Sequence, residues 1–327
     1  MNLSRRLGAL AFAVSIVVAA CGGTTATTAP ESSAATESSA ASPAANPSES
    51  ASAAAVESVA PSQIACQAAN LQTVAPGTLT VGTDNPAYPP YFSIPSSGNP
   101  PAPWKLGDPT NGQGFESAFA YALADQLGYT KDQVKWIVVP FNNSFAPGPK
   151  PFDVDINQIS YTKERATAVD MSDGYYYLTQ AVVALKSNPI AKVTSIADLK
   201  AYKLGAQQGT TSYSTITDVV APAAKPMVYN TNDDAISALK AKQIDGLVVD
   251  LPTAFYITAA QLDNSTIAGQ FPPAGGADSE HFSVVLAKGS PLTACVNQAI
   301  GSLTTLGILN DLKDTYLAKA GAPVFRP

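Results

Sequence analysis

Charge is scarce in this chain. Asp, Glu, Lys and Arg make up 13% of its 327 residues, and the formal net charge is −6. No basic stripe runs along it, which excludes a nucleic-acid partner held through phosphate contacts. Histidine is scarcer still, with His281 alone, and there are three cysteines, Cys21, Cys66 and Cys295. That inventory serves metal coordination poorly. A Ser-His-Asp arrangement would have to be built on the one histidine, which follows Glu280. No cofactor and no enzymatic activity are therefore expected. Beyond residue 20 no apolar run is long enough to cross a bilayer.

What is present begins with a targeting pattern. Arg5 and Arg6 precede an apolar run, Leu7 to Ala20, that is short for a membrane span and suits a signal peptide over residues 1–20. It ends in Val18-Ala19-Ala20-Cys21-Gly22, which resembles the lipobox of a bacterial lipoprotein. The resemblance implies that Cys21 carries lipid and anchors the protein to the outer face of the cell membrane. Residues 21–63 are Ala, Ser, Thr, Pro and Glu with almost no large apolar side chain. Such a composition cannot offset the entropy of ordering, and a disordered tether is expected. With Cys21 set aside, Cys66 and Cys295 remain. A lone pair in an oxidising exterior is most simply a disulfide, the alternative being two buried thiols.

From Ile64 onward, strand patterns alternate with helix patterns, which favours an α/β fold. Strands are expected at Thr78 to Thr83, Val134 to Val139, Ala181 to Leu185, Lys203 to Ala206, Gly246 to Asp250 and Phe282 to Ala287. Helices are expected at Phe115 to Leu127, from a capping-box start at Ser195, at Asp233 to Lys242 and over most of Pro291 to Leu317. Two loops rich in Pro and Gly, Pro86 to Gly114 and Phe141 to Pro151, lie where binding loops often do.

Ser160 to Tyr177, SYTKERATAVDMSDGYYY, carries the chemistry. Arg165 lies near the hydroxyls of Ser160 and Thr162, and an arginine fork suits a ligand carboxylate. On spacing alone, an exposed arginine paired with Glu164 or Asp170 fits as well. Other segments fall in order around it: Val81-Gly82-Thr83-Asp84 with Tyr88-Pro89-Pro90-Tyr91, then Gly114-Phe115-Glu116, Gly209-Thr210-Thr211 and Val248-Val249-Asp250. Together these resemble the extracytoplasmic solute-binding proteins of amino-acid ABC importers, over about Leu79 to Leu317.

The resemblance implies a two-lobe, type II periplasmic-binding-protein-like α/β fold. Lobe one would span 64–180 plus 280–327 and lobe two 181–279, with crossovers near Gln180 and Ser279 to Phe282. It implies that Arg165 takes a ligand carboxylate and that Thr210 and Thr211 offer backbone N–H groups at a helix start. Asp250 would take the ammonium, Ser160 would bond either group, and Tyr88 and Phe141 would cover the apolar part. A ligand touching both lobes would favour the closed form, and an ABC permease would read closure by a monomeric receptor. A sensor's receptor and a dehydratase-like enzyme are the alternatives on the same fold.

The chain departs from the family pattern at Gln158, where a small residue is usual, and at Asn142 to Phe145. Gln158 could narrow the pocket, bond the ligand or face away. The amides of Gln158, Asn142 and Asn157 suggest a polar amino acid. A cationic ligand would want one more acid, for which Asp84 and Glu116 are the candidates.

Overall fold

The computed structural model describes residues 65–276, 279–317 and 321–327. Two five-stranded sheets carry the fold. The first has the order β2-β1-β3-β10-β4, built from β1 (Leu79–Thr83), β2 (Val134–Val138), β3 (Val154–Asp155), β4 (Asp170–Tyr177) and β10 (His281–Leu286). The second has the order β7-β6-β8-β5-β9, built from β5 (Gln180–Leu185), β6 (Leu204–Gln207), β7 (Met227–Tyr229), β8 (Gly246–Asp250) and β9 (Ser265–Gln270). In each sheet the inner strands pair in parallel with their neighbours, and the strands at the crossovers run antiparallel: β10 against β3 and β4, β5 against β8 and β9. The chain passes from the first sheet to the second between β4 and β5, and returns between β9 and β10.

Each sheet owns its core. Leu79, Val81, Val154 and Ile156 are fully buried against helices α1 (Phe115–Gln126) and α8 (Thr293–Thr305), the latter through Val296, Ile300 and Leu303. The first helix starts at Gly114, whose φ of 97° favours glycine. A Cβ there would stand 2.4 Å from the Tyr91 carbonyl oxygen, so the aromatic loop and the helix start can close on each other only without a side chain. In the second sheet, Val182, Val248, Leu204 and Ala206 pack against Ile190, Leu199 and Ile216 on one face. Ala181, Val183, Leu247 and Val249 pack on the other, partly against α6 (Asn232–Lys240). Strands buried on both faces read as continuous apolar runs, which is why Gly246 to Asp250 stood out in the sequence.

The Sγ atoms of Cys66 and Cys295 lie 2.03 Å apart, joining the segment before β1 to α8. The helical region after Pro291 is interrupted at Gly307, and α9 (Ile308–Tyr316) follows.

The tail packs on the second sheet. The sequence placed all of 280–327 with the first sheet, yet residues 321–327 lie against the second. Phe325 is 2% exposed and packs edge-on to Phe271, with a centroid separation of 5.5 Å. Along this tail Phe325 N donates to Gln270 O (2.9 Å), Gln270 N donates to Pro323 O (2.8 Å), and Arg326 N donates to Thr194 O (2.9 Å). Burial of one aromatic ring in the second core overrides the sequence proximity of the tail to α9. Phe325→Ala is expected to cost about 3–5 kcal/mol in urea unfolding, the range for a truncated core aromatic. A loss below about 1 kcal/mol would mean that the tail does not complete this core.

Candidate functional site

The ends of the strands from both sheets face a shared cavity of about 60 Å³. From the first sheet's side come Asp84, Tyr88, Phe141, Asn157, Gln158, Ser160 and Arg165. From the second come Thr210, Thr211, Val249, Asp250 and Thr253. All eight residues expected to meet a ligand therefore line one space.

Arg165 opens the short helix α3 (Arg165–Ala168), and its backbone N–H donates to Thr162 Oγ1 at 3.1 Å. The side chain is 8% exposed. Nη1 donates to the Ser160 carbonyl, and Nη2 donates to the Gly209 carbonyl of the other sheet's side at 2.7 Å. Phe145 lies under the guanidinium, 4.2 Å from Cζ to ring centroid, and Phe141 stands at 5.6 Å. The stack fixes the plane of the fork, a contribution of about 0.5–2 kcal/mol for such pairs. Burial lowers the guanidinium's pKa to about 10, opposed by the charges of Glu280 and Asp250, so it stays protonated at neutral pH. The exposed-arginine alternative does not hold. Asp170 instead pairs with Lys288 at 3.4 Å.

Opposite, Thr210 caps α5 (Thr211–Ser214), its Oγ1 accepting from Tyr213 N at 3.2 Å. A π-helical turn, Thr215–Val220, continues it. Gly209 adopts φ +76° just before the cap. Thr211 Oγ1 donates across the cavity to Ser160 Oγ at 3.3 Å. Asp250 ends β8 and precedes α7 (Leu251–Tyr256). Burial, then the negative charge of Glu280, pushes its carboxyl up to about 7, while bonds from Gln180 and Thr253 oppose the rise. A bound cation would return it to the carboxylate form.

Three sequence expectations change in detail. Tyr88 lines the cavity, but its hydroxyl is committed to Asp233 Oδ2 on α6 at 2.7 Å, bridging the two sides at the mouth. Gln158 lines the cavity with φ +49°, and its amide is held from behind: Nε2 and the backbone N both donate to Glu116. Glu116 also accepts from Tyr175 Oη at 2.5 Å and is fully buried, so it does not face the cavity as a ligand acid would. Burial holds Glu116 up near 7 and Asp155, buried behind the same wall, near 8, so neither presents a full charge at neutral pH. That leaves Asp84 as the additional acid at the cavity. Asn157 Nδ2, buried at the wall, has no partner among the described residues.

The sequence reading placed crossovers near Gln180 and at Ser279 to Phe282 but missed how they pair. Gln180 and Glu280 sit at the two crossovers and are hydrogen-bonded to each other at 2.9 Å. Their separation in sequence hid the pairing, and only the convergence of β5 and β10 brings them together.

Known proteins place this arrangement. The model for "Bacterial extracellular solute-binding proteins, family 3" matches residues 79–319. The arginine-binding extracellular protein ArtP of Bacillus subtilis is 27% identical over 219 residues, 66% of this chain and 81% of that protein. The ABC transporter glutamine-binding protein GlnH of the same organism is 27% identical over 219 residues, 65% of this chain and 76% of its own length. Among solved structures, an ancestral arginine-binding protein with glutamine bound superposes with a TM-score of 0.58 at 28% identity, covering 73% of this chain and 97% of that one. No helix among the described residues is long and apolar enough to cross a membrane. The two sheets are the two lobes of the type II periplasmic-binding fold, and the chain belongs to the bacterial extracellular solute-binding proteins, family 3.

Proposed function

We propose that this chain is the receptor of an ATP-driven amino-acid importer and that it captures a cationic amino acid of the arginine type. The charge at the cavity carries the reading. One guanidinium, Arg165, faces two carboxylates, Asp84 and Asp250. An α-amino acid answers Arg165 with its carboxylate and Asp250 with its ammonium, and Asp84 then wants a positive side chain. The arginine-binding relatives support this class. An uncharged amide-bearing ligand such as glutamine is the second reading, favoured by Asn157 Nδ2, which wants an acceptor, and by the glutamine-binding relative.

Binding is closure. Arg165, Ser160 and Tyr88 belong to lobe one; Thr210, Thr211 and Asp250 belong to lobe two. A ligand that touches both sets prefers the closed form and shifts the population towards it, which the permease reads. We place lobe one at 64–180 with 280–317, and lobe two at 181–279 with 321–327. Cys66 and Cys295 form a disulfide in this reading; the signal peptide, the lipid anchor at Cys21 and the tether of residues 21–63 lie outside the described residues.

Purified protein, unfolded and refolded to strip carried-over ligand, is expected to be stabilised by arginine. At 100 times the dissociation constant the gain is about 2.7 kcal/mol in chemical unfolding. Stabilisation by glutamine and not by arginine would establish the second reading, and no response to any α-amino acid would defeat both.

A further inference from the structure

Glu280 precedes β10, in the segment returning from lobe two to lobe one. Its Oε1 accepts two bonds, from Ser160 Oγ at 2.8 Å and from Gln180 Nε2 at 2.9 Å. Gln180 opens β5 on the outgoing crossover and is 3% exposed. The same Nε2 donates to Asp250 Oδ1 at 3.1 Å, and Oε1 accepts from Ser212 Oγ at 2.7 Å. One carboxamide thus sits between two carboxylates and gives each a hydrogen.

The consequence for Ser160 is specific. A hydroxyl has one proton to donate. Ser160 gives its proton to Glu280, and it already accepts from Thr211. What it can still offer a ligand is a lone pair. A lone pair beside Asp250 suits a donor, the α-ammonium, and repels a carboxylate or carbonyl oxygen. Ser160 therefore has one role, not the choice of two that its hydroxyl alone would allow.

We propose that Glu280 is a positioning residue that makes this corner specific for an α-ammonium group, by fixing Ser160 as an acceptor and, through Gln180, holding Asp250 in place. The inference rests on the amino-acid reading of the cavity. Glu280 does not line the cavity and touches no ligand, so its effect must pass through Ser160 and Asp250.

The test compares ligands that differ only at the α-amino group. Calorimetric titration would use arginine against 5-guanidinopentanoate, which lacks it, or glutamine against 4-carbamoylbutanoate if glutamine is the better binder. Glu280→Gln keeps the size but loses the charge, and its amide can donate to Ser160 and turn that hydroxyl round. It is expected to weaken the amino acid about fivefold and to leave the deaminated analogue within about twofold, a loss in the range of one ordinary net hydrogen bond, as suits an effect passed on through Ser160 and Asp250. Glu280→Asp keeps the charge and is expected to recover part of the discrimination. Equal loss on both ligands, or no loss on either, overturns the proposal. Should E280Q fail to fold, Ser160→Ala must show the same ammonium-specific loss, and a uniform loss there overturns it equally. Wild-type protein that binds no amino acid at all defeats the reading of the cavity, and this proposal falls with it. Wild-type binding with an unchanged ligand ratio in the variants defeats only the role of Glu280.

Discussion

Replacing Arg165 with alanine is expected to weaken binding of the amino-acid ligand by about 30- to 5,000-fold, the span for removing one partner of a buried charge pair. The size follows from the setting. The guanidinium is 8% exposed, stacked on Phe145, and held by the carbonyls of Ser160 and Gly209. Two anchors on backbone oxygen leave the remaining N–H groups aimed in a fixed plane, so little ordering cost remains when a carboxylate arrives. The alanine variant also loses the bond to Gly209, which joins the two lobes at this point. Arg165→Lys keeps the charge but neither the fork nor the flat face on Phe145, and should fall between. The decisive control is arginine amide, which has no carboxylate. Calorimetry should find its affinity far less altered than that of arginine. Equal loss of both would mean that Arg165 shapes the closed lobes without meeting the carboxylate.

Asp84→Asn is expected to lower arginine affinity by about 10- to 100-fold while leaving glutamine within about threefold. One hydrogen bond to a charged group spans about 1.5–3 kcal/mol, which sets the range. Asp84 sits at the wall with Oδ1 accepting from Asn85 N at 2.7 Å. Burial raises its pKa, and backbone bonds from Asn85 and Phe141 together with the charge of Lys105 only partly oppose the rise. Those opposing influences matter for the sign. The asparagine keeps the shape and one acceptor oxygen, so the fold should tolerate it, and what it removes is the charge. The ratio of arginine to glutamine affinity is the readout. A ratio that does not move would mean that Asp84 belongs to the wall and that selectivity resides elsewhere, with Asn157 the next residue to change.

The parts of this molecule that were legible in its sequence share a physical trait. Strands such as β1 and β8 are buried on both faces and are written as apolar runs, and α1 is bounded by glycines at both ends. By contrast β4 and β9 were not read as strands. Their sequences, DMSDGYYY and STIAGQ, mix polar and apolar residues because both lie at sheet edges and are only partly buried. At the site, Arg165 and Asp250 could be named because local motifs carry them. The link of Gln180 to Glu280 and Asp250 could not, since a carboxamide between two carboxylates is a property of register and has no local signature. The orientation of Glu116 was open for a related reason: a helix's first turn reads the same whether its acid faces a cavity or backs its wall, and only the bonds from Gln158 and Tyr175 decide.

The docking of Phe325 on the second core has a kinematic consequence. Leu317 is buried in the first core, and the chain is held again on the second from residues 321–327. Among the described residues the two cores are therefore linked by the chain a third time. Two crossovers define an axis about which the lobes can swing. The third connection leads to a tail docked on Gln270, which pairs with Ala181 and accepts from Thr179 Oγ1 beside the outgoing crossover, and it acts as a leash. Between Leu317 and Gly321 there are four Cα–Cα steps, which reach at most roughly 14 Å when taut. However far the mouth opens at Tyr88 and Asp233, the edge beside α9 cannot part by more than that while the tail stays docked.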